Sequence, residues 1–401
     1  MELKEHERKA HPIHAMLGGS NAARWLVCPP SAKLEAQVLA ETGDEKNSEA
    51  ADEGTVAHAL AESELLVCLR SAPESIIADV EKDPLYSQDM RDYVFDYVSY
   101  VVAAYAEALR SPGTPAAMML EQDLDFSDYV PEGHGYADAV VLKDGYMEIF
   151  DLKYGRFVPV VAKDNPQIRL YALGALNEFD WLYDIHDVKL TIVQPRNMGM
   201  TSESMSADEL RDWGESIKPI AQMASRGAGK TKAGEHCRFC LARPKCRAFY
   251  KEVTAASTIQ DKEPSLLSDD ELAMCLKTGE HLNSYLQSVK QYAIDRAMQG
   301  GHMVPGYKLV KGRSVATYSD REAVSKRLLD AGFKEADFMK PTELIGVTAM
   351  KKLVSTRRFN DLLGDLMVKT EGKLTLAPVD DKRPAYDPAE GFTDLDKEKT
   401  K

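Results

Sequence analysis

The sequence lacks any apolar run long enough to cross a membrane, and its first residues, Met1 to Arg8, lack the apolar centre of a signal peptide. It also lacks the evenly distributed cysteine pairs of a disulfide framework, because three of its six cysteines fall within ten residues of one another. These absences argue against a membrane partner and against a secreted, disulfide-stabilised fold. They predict a protein that works in a reducing cytoplasm.

Positive charge is scarce. The chain has 50 lysines and arginines against 64 acidic residues, a formal net charge of -14, which argues against indiscriminate binding to nucleic acid. One segment departs from this balance, because residues 230–251 carry seven basic residues and a single acidic one, Glu235. Such a patch can engage phosphates, and a solvated face around a metal site accounts for it equally well.

A length of 401 residues with 44% hydrophobic content allows one large or two smaller globular domains. Changes in pattern along the chain divide it into five segments: a loose N-terminal segment over 1–18, a main domain over 19–255 with the chemical motifs, a helical linker over 256–300, a small, partly basic α+β accessory region over 301–378, and a disordered tail over 379–401.

The main domain mixes helix and strand signals. Periodicity and turn residues predict a helix carrying His58, a helix from 88 to 109, strands near 116–124, 137–142, 146–152 and 188–193, and a helix that begins at Pro166. Ser206 and Glu209 have the spacing of a capping box, and Ser319 is the predicted cap of a helix in the accessory region. The fold class is therefore α/β, with a mixed central sheet flanked by helices.

Two carboxylates and a lysine stand at the ends of two neighbouring predicted strands. The turn over 143–145 joins these strands in a hairpin, so Asp138 and Asp151 can converge. Two carboxylates at one point repel each other unless a cation lies between them, and hard oxygen ligands suit Mg²⁺ or Mn²⁺. Lys153 shares a strand face with Asp151 and can orient or deprotonate a water, or neutralise charge on a phosphoryl oxygen.

These residues resemble the PD-(D/E)XK nuclease superfamily, in its RecB-like branch. The matching motifs, in the family's order, are His58 on a helix, Gly135-Tyr136-Ala137-Asp138, Asp151-Leu152-Lys153 and Gln167 with Tyr171. The resemblance implies a restriction-endonuclease-like core and a metal held by His58, Asp138, Asp151 and the main-chain carbonyl of Leu152. It also implies catalytic roles for Asp138, Asp151, Lys153, Gln167 and Tyr171.

Other interpretations of single residues stay open. Gln167 and Tyr171 are one helical turn apart, and simple packing of that helix onto the sheet also explains Tyr171. Glu121 and Glu148 are further acidic residues near the site. Glu148 is out of phase with Asp151 along its strand, and both glutamates are expected to lie outside the metal's ligand set.

The cysteine trio Cys237, Cys240 and Cys246 has C-x2-C-x5-C spacing, which indicates three thiolate ligands of one metal centre. Iron-sulfur members of the RecB-like branch, which include AddB-type and CRISPR-associated nucleases, hold a 4Fe-4S cluster with one upstream cysteine. That resemblance implies Cys28 as the fourth ligand and a cluster that staples the ends of the nuclease domain. Zn²⁺, with His236 or Cys28 as fourth ligand, is the alternative. Cys68 and Cys275 are expected to be core residues.

Nearly the whole chain also resembles a family of unassigned proteins from phage and prophage replication neighbourhoods. The function expected from both resemblances is a metal-dependent deoxyribonuclease, an exonuclease in phage DNA replication or recombination. Its expected partners are DNA and a phage single-strand annealing, single-strand-binding or replication protein, in the bacterial host cytoplasm. Two alternatives belong to other classes: a non-catalytic DNA-binding or assembly protein on a nuclease fold, and a zinc-stabilised interaction module.

Overall fold

The computed structural model describes residues 15–43, 49–254, 269–338 and 344–386. It divides into two compact units, residues 1–286 and 287–401. The first unit has a five-stranded mixed sheet with helices on both faces, which confirms the predicted α/β class. Within the described residues, no helix is both long and apolar enough to span a bilayer.

The sheet of the first unit has the strand order β1-β2-β3-β4-β5. Every neighbouring pair is antiparallel except β3 and β4, which are parallel and are joined by a crossover helix. The strands are β1 Ala117–Asp125, β2 His134–Lys143, β3 Tyr146–Leu152, β4 Asp187–Gln194 and β5 Gly199–Ser206. The first four were expected from the sequence, and β5 was not.

Nine α-helices are described from the first unit: α1 Ala22–Trp25, α2 Ser31–Thr42, α3 Glu49–Cys68, α4 Ser75–Val80, α5 Gln88–Ala108, α6 Pro166–Tyr183, α7 Ala207–Arg226, α8 Arg247–Thr254 and α9 Asp269–Gly300, the last extending past residue 286. Local residues set their starts. Asn165 caps α6 by accepting hydrogen bonds from Gln167 and Ile168, and Pro166 follows at the first helical position. The predicted capping box of Ser206 and Glu209 is present at the start of α7.

The sheet separates two hydrophobic cores. One core packs α1, α2, α6 and α7 against one face through residues such as Trp25, Ile149 and Leu173. The other packs α3 and α5 against the opposite face through residues such as Leu60 and Phe150. Residues that alternate along β3 therefore fall alternately into the two cores, as strand geometry requires.

The second unit contains a two-stranded antiparallel sheet and short helices: β6 Tyr307–Tyr318, α10 Arg321–Asp330, α11 Glu335–Phe338, α12 Val347–Val354, α13 Thr356–Leu363 and β7 Met367–Pro378. The predicted cap of α10 was wrong by one residue, because Asp320 rather than Ser319 accepts the hydrogen bond from Ala323 N–H. Residues 379–386 belong to the expected tail, yet the main-chain amides at both ends of this segment donate hydrogen bonds, one to Gly306 just before β6 and one to Leu309 within it.

Close packing of α6 on β1 makes one glycine sensitive to substitution. A Cβ at Gly174 would lie 2.9 Å from Leu124 Cβ and 3.3 Å from main-chain atoms of β1, whereas a Cβ at Gly279 on α9 would meet nothing within 4 Å. We expect Gly174→Ala to lower the free energy of unfolding by about 1–3 kcal/mol through overpacking. Gly279→Ala should raise it by up to about 1 kcal/mol through helix propensity. Urea denaturation measures both, and equal effects of the two substitutions would contradict the described packing.

Candidate metal centre

The strands β1 and β2 are irregular at one point. Their ladder skips the pair Glu121 and Asp138, and Glu121 has a φ of 45°, in the left-handed region that side chains other than glycine rarely adopt. Ala137 and Ala139 are two residues apart on β2 but belong to different cores, whereas regular alternation would place them on one face. The alternation of side chains between the two cores therefore shifts by one residue at this point in both strands. Glu121 and Asp138 lie where it shifts.

Three potential metal ligands meet at this irregularity. One ligand atom from each of His58, Glu121 and Asp138 lies within 4.8 Å of the other two. His58 Nδ1 is 3.2 Å from Asp138 Oδ1, and Leu152 N–H donates a 2.6 Å hydrogen bond to Asp138 Oδ2. These residues line one pocket, together with Tyr97 of α5. The pocket thus combines an imidazole with carboxylate oxygens.

The electrostatics of this pocket reflect crowded acidic groups. Burial lowers the pKa of His58, but the charge and hydrogen bond of Asp138 outweigh burial and raise it to about 9. Burial raises the pKa of Asp138, but His58 and Lys153 hold it below its usual value. Burial and the charge on Asp138 raise the pKa of Glu121 to about 8. The pocket therefore holds protons where a divalent cation could replace them.

Asp151 and Lys153 form an ion pair beside this pocket, on the same strand face as predicted. The Lys153 ammonium is 2.7 Å from Asp151 Oδ2 and 3.0 Å from Oδ1. Burial raises the pKa of Asp151 more than Lys153 lowers it, and the charge on Asp138 raises it further. Asp138 and Asp151 are thus close enough for the charge of one to shift the pKa of the other. The three-ligand group described above nevertheless contains Glu121 and not Asp151.

Gln167 and Tyr171 lie together on α6, and the Gln167 amide donates a 3.0 Å hydrogen bond to the Tyr171 hydroxyl. Burial and the charge on Asp151 raise the pKa of Tyr171 to about 12. The Tyr171 ring occupies the space that a Cβ would need at Gly19 and at Gly135, each 2.6 Å from a ring carbon. The glycine of the Gly135-to-Asp138 motif is therefore required by packing, and Tyr171 is both a core residue and a neighbour of the site.

Glu121 was expected to lie outside the metal's ligand set, and the structure places it beside His58 and Asp138. The register of β1 against β2 sets Glu121 opposite Asp138. Glu148 does lie elsewhere: its buried carboxylate accepts hydrogen bonds from Thr191 (2.6 Å) and Tyr146 (2.9 Å) and is 3.0 Å from the Lys189 ammonium. Glu148 is thus a structural residue inside the sheet.

The four predicted cluster cysteines are neighbours, although Cys28 is far from the trio in sequence. Cys28 and Cys237 are buried, Cys240 and Cys246 are partly buried, and none of the four is in a disulfide. Burial raises the pKa of Cys237, and Cys246 and Cys28 contribute to the rise. Burial and the charge of Glu35 raise the pKa of Cys240 to about 12. The other three thiols therefore lie near Cys237.

Arg24 and Glu35 form an ion pair within the N-terminal segment, and both side chains also contact the cysteine segment. Arg24 Nε is 2.8 Å from Glu35 Oε2, and Arg24 Nη1 donates a 3.1 Å hydrogen bond to Phe239 O. The second oxygen of Glu35 accepts a 2.9 Å hydrogen bond from Leu241 N–H. Nearby, Lys245 of the basic segment pairs with Glu41. These contacts hold the segment that carries Cys28 against the segment that carries the trio.

The remaining cysteine expectations have different outcomes. Cys68 is exposed at the end of α3, so its prediction as a core residue was wrong; the buried face of that helix runs through Leu60 and Leu65 instead. The side chain of Cys275 lies outside the described residues. His236 Nε2 is 2.8 Å from Lys232 O, which engages its imidazole with the main chain.

Comparison with known proteins identifies a family but no activity. A solved structure titled "Crystal structure of SSO0001" is 15% identical in sequence, and the match covers 54% of this chain and 95% of that chain with a TM-score of 0.24, too low to support a conclusion. A family model described as "Protein of unknown function (DUF2800)" matches residues 14–384, in keeping with the expected family that spans nearly the full chain. The chain therefore belongs to the DUF2800 family.

Proposed function

We propose that this protein is a divalent-metal-dependent deoxyribonuclease of the PD-(D/E)XK type, an exonuclease with a restriction-endonuclease-like core. The observation that carries the proposal is the convergence of motifs that are far apart in sequence. The pKa values of four side chains depend on one another's charges: His58, Asp138, Asp151 and Lys153. Tyr171, which is hydrogen-bonded to Gln167, is close enough for the charges of Asp151 and Lys153 to shift its pKa. A purely structural role gains nothing from so many acidic groups at one point.

The donor set fits a hard divalent cation. Glu121 and Asp138 offer carboxylate oxygens and His58 an imidazole, while the carboxylate of Asp151 is paired with the Lys153 ammonium beside them. Mg²⁺ suits oxygen ligands, and the imidazole shifts the preference somewhat toward Mn²⁺. When bound, the cation would polarise a phosphoryl oxygen and lower the pKa of a bound water.

Lys153 supplies positive charge rather than a base. Burial lowers its pKa, but the charge of Asp151 outweighs burial, so the pKa lies above its usual value. The ammonium is therefore protonated at neutral pH and can neutralise the charge that develops on a phosphate during hydrolysis. Asp151 holds that ammonium in place, and the Gln167 side chain can orient a water or a phosphate oxygen.

The four cysteines fit an iron-sulfur cluster as a structural group. Neighbouring thiols without disulfides are the donor set of a 4Fe-4S cluster, and the hydrogen bond of His236 Nε2 to Lys232 O leaves its Nδ1 as a possible ligand of a zinc site. A cluster would reinforce the link that Arg24 and Glu35 make between the two ends of the domain. Zn²⁺ held by four cysteines is the alternative.

DNA is the proposed substrate, with a phage annealing, single-strand-binding or replication protein as proposed partner in a host cytoplasm. The exposed basic side chains of the segment 230–251, such as Lys230, Arg238 and Lys251, favour phosphate contact within an acidic chain. The alternative is a DNA-binding or assembly protein without activity, which would bind DNA through the same segment.

The first prediction concerns cleavage. Lys153→Ala should reduce hydrolysis of labelled single- or double-stranded DNA by about 10²–10³-fold in Mg²⁺ or Mn²⁺, because the charge next to the reacting phosphate is lost. Lys163→Ala, which removes an exposed lysine of the loop after β3, is the control and should retain wild-type rates. Binding of DNA without EDTA-sensitive cleavage by the wild type would contradict the nuclease and favour the assembly protein.

A second prediction concerns pH. Glu121, with a pKa of about 8, and His58, with one of about 9, are mainly protonated below these values and must lose their protons to bind a cation. Mn²⁺ affinity should therefore rise from pH 6 to pH 9, with release of about two protons per ion at pH 7. Calorimetry in buffers of different ionisation enthalpy measures this release.

Two glutamate substitutions test this proton release, one inside the pocket and one outside it. Glu121→Gln should weaken Mn²⁺ binding and remove about one released proton. Glu178→Gln, whose carboxylate accepts a hydrogen bond from Gln122 outside the pocket, should change neither. A Mn²⁺ affinity that is constant between pH 6 and pH 9 would rule out the proposed ligand set.

A third prediction concerns the cysteines. Anaerobically purified protein should be brown, with about four irons per chain. Cys28→Ser should lose colour and iron and lower the melting temperature, whereas Cys68→Ser, at an exposed site, should keep both. Iron analysis and visible absorption measure this. Stoichiometric zinc without iron would replace the cluster by a zinc site, and full colour in Cys28→Ser would exclude Cys28 as a ligand.

A further inference from the structure

Tyr97 is the most enclosed polar side chain on the wall of the candidate metal pocket. It lies on α5, and its relative exposure is 0%. Its hydroxyl has no hydrogen-bond partner within the described parts of the chain, although almost all buried polar groups in proteins have one. Tyr97 lines the same pocket as His58, Glu121 and Asp138. The Tyr97 hydroxyl is therefore a donor without an acceptor among the described residues, and a group bound in the pocket could accept its hydrogen bond.

The surroundings of Tyr97 define what that acceptor can be. Burial, together with the charges of Asp138, Asp151 and Glu121, raises the pKa of Tyr97 well above its usual value. The phenol therefore keeps its proton at neutral pH and acts as a donor. Mg²⁺ and Mn²⁺ sites formed by a few side chains usually keep several bound waters, which provide acceptor oxygens.

We propose that the Tyr97 hydroxyl donates a hydrogen bond to a water that is bound to the cation at His58, Glu121 and Asp138. Tyr97 is then a positioning residue that fixes the orientation of this water in the coordination sphere. Neither resemblance nor sequence pattern pointed to Tyr97. The inference rests on the metal site of the proposed function, but it does not depend on DNA cleavage.

The test is Tyr97→Phe, which removes one oxygen and keeps the ring. In the metal-free protein the substitution removes an unpaired buried hydroxyl, so the melting temperature should stay the same or rise by up to about 4 °C. The Kd for Mn²⁺, measured by calorimetry without DNA, should increase about three- to tenfold because one hydrogen bond to the bound water is lost. If Tyr97 were only structural, its substitution would change the melting temperature and leave the Kd for Mn²⁺ unchanged.

Tyr183→Phe is the matched control. Tyr183 is also buried, but its hydroxyl donates a 3.2 Å hydrogen bond to Pro115 O outside the pocket. This control should lower the melting temperature and leave the Mn²⁺ Kd unchanged. The inference is overturned if Tyr97→Phe leaves the Kd unchanged, or if the wild type binds no Mn²⁺. If the wild type cuts no DNA but binds Mn²⁺, and Tyr97→Phe weakens this binding, the inference is supported and the nuclease function is refuted.

Discussion

Excess negative charge on three adjacent strands is the constraint on which the site depends. Glu121, Asp138 and Asp151 are set together against one imidazole, His58, and one ammonium, Lys153. Burial makes unpaired charge costly, so part of the acidity must be cancelled by a bound proton, as the pKa of about 8 for Glu121 indicates. A divalent cation is the natural replacement for that proton.

A local backbone strain accompanies this crowding. The left-handed backbone at Glu121 costs on the order of 1–3 kcal/mol, and such strain is found most often at functional sites. Here it lets β1 and β2 turn over between the two cores, so Glu121 and Asp138 leave the regular ladder together. The register itself makes Glu121 and Asp138 cross-strand neighbours, because the residues that flank them pair as Leu120 with Ala139 and Gln122 with Ala137.

Sequence reasoning recovered what depends on spacing. The Asp151–Lys153 pair and the Gln167–Tyr171 contact follow from strand and helix periods, whereas the proximity of His58 to Asp138 was implied by the resemblance. Glu121 was left out because the register of β1 against β2, which sets it opposite Asp138, does not follow from the pattern of either strand.

Other errors have similar physical causes. The strand β5 was missed because its sequence, Gly199–Ser206, is polar on both faces and none of its residues is fully buried. Cys68 was misassigned because an apolar neighbourhood in sequence does not reveal where α3 ends. The position of Cys28 came from resemblance, and the contacts of Arg24 and Glu35 now give it a physical basis.

The central claim is that one cation resolves the charge excess of this pocket. Anomalous scattering from Mn²⁺-soaked crystals tests it most directly. The account predicts a single strong peak in contact with His58, Glu121 and Asp138, with Lys153 still beside Asp151. A pocket without a peak at saturating Mn²⁺, with the carboxylates in unchanged positions, would contradict it.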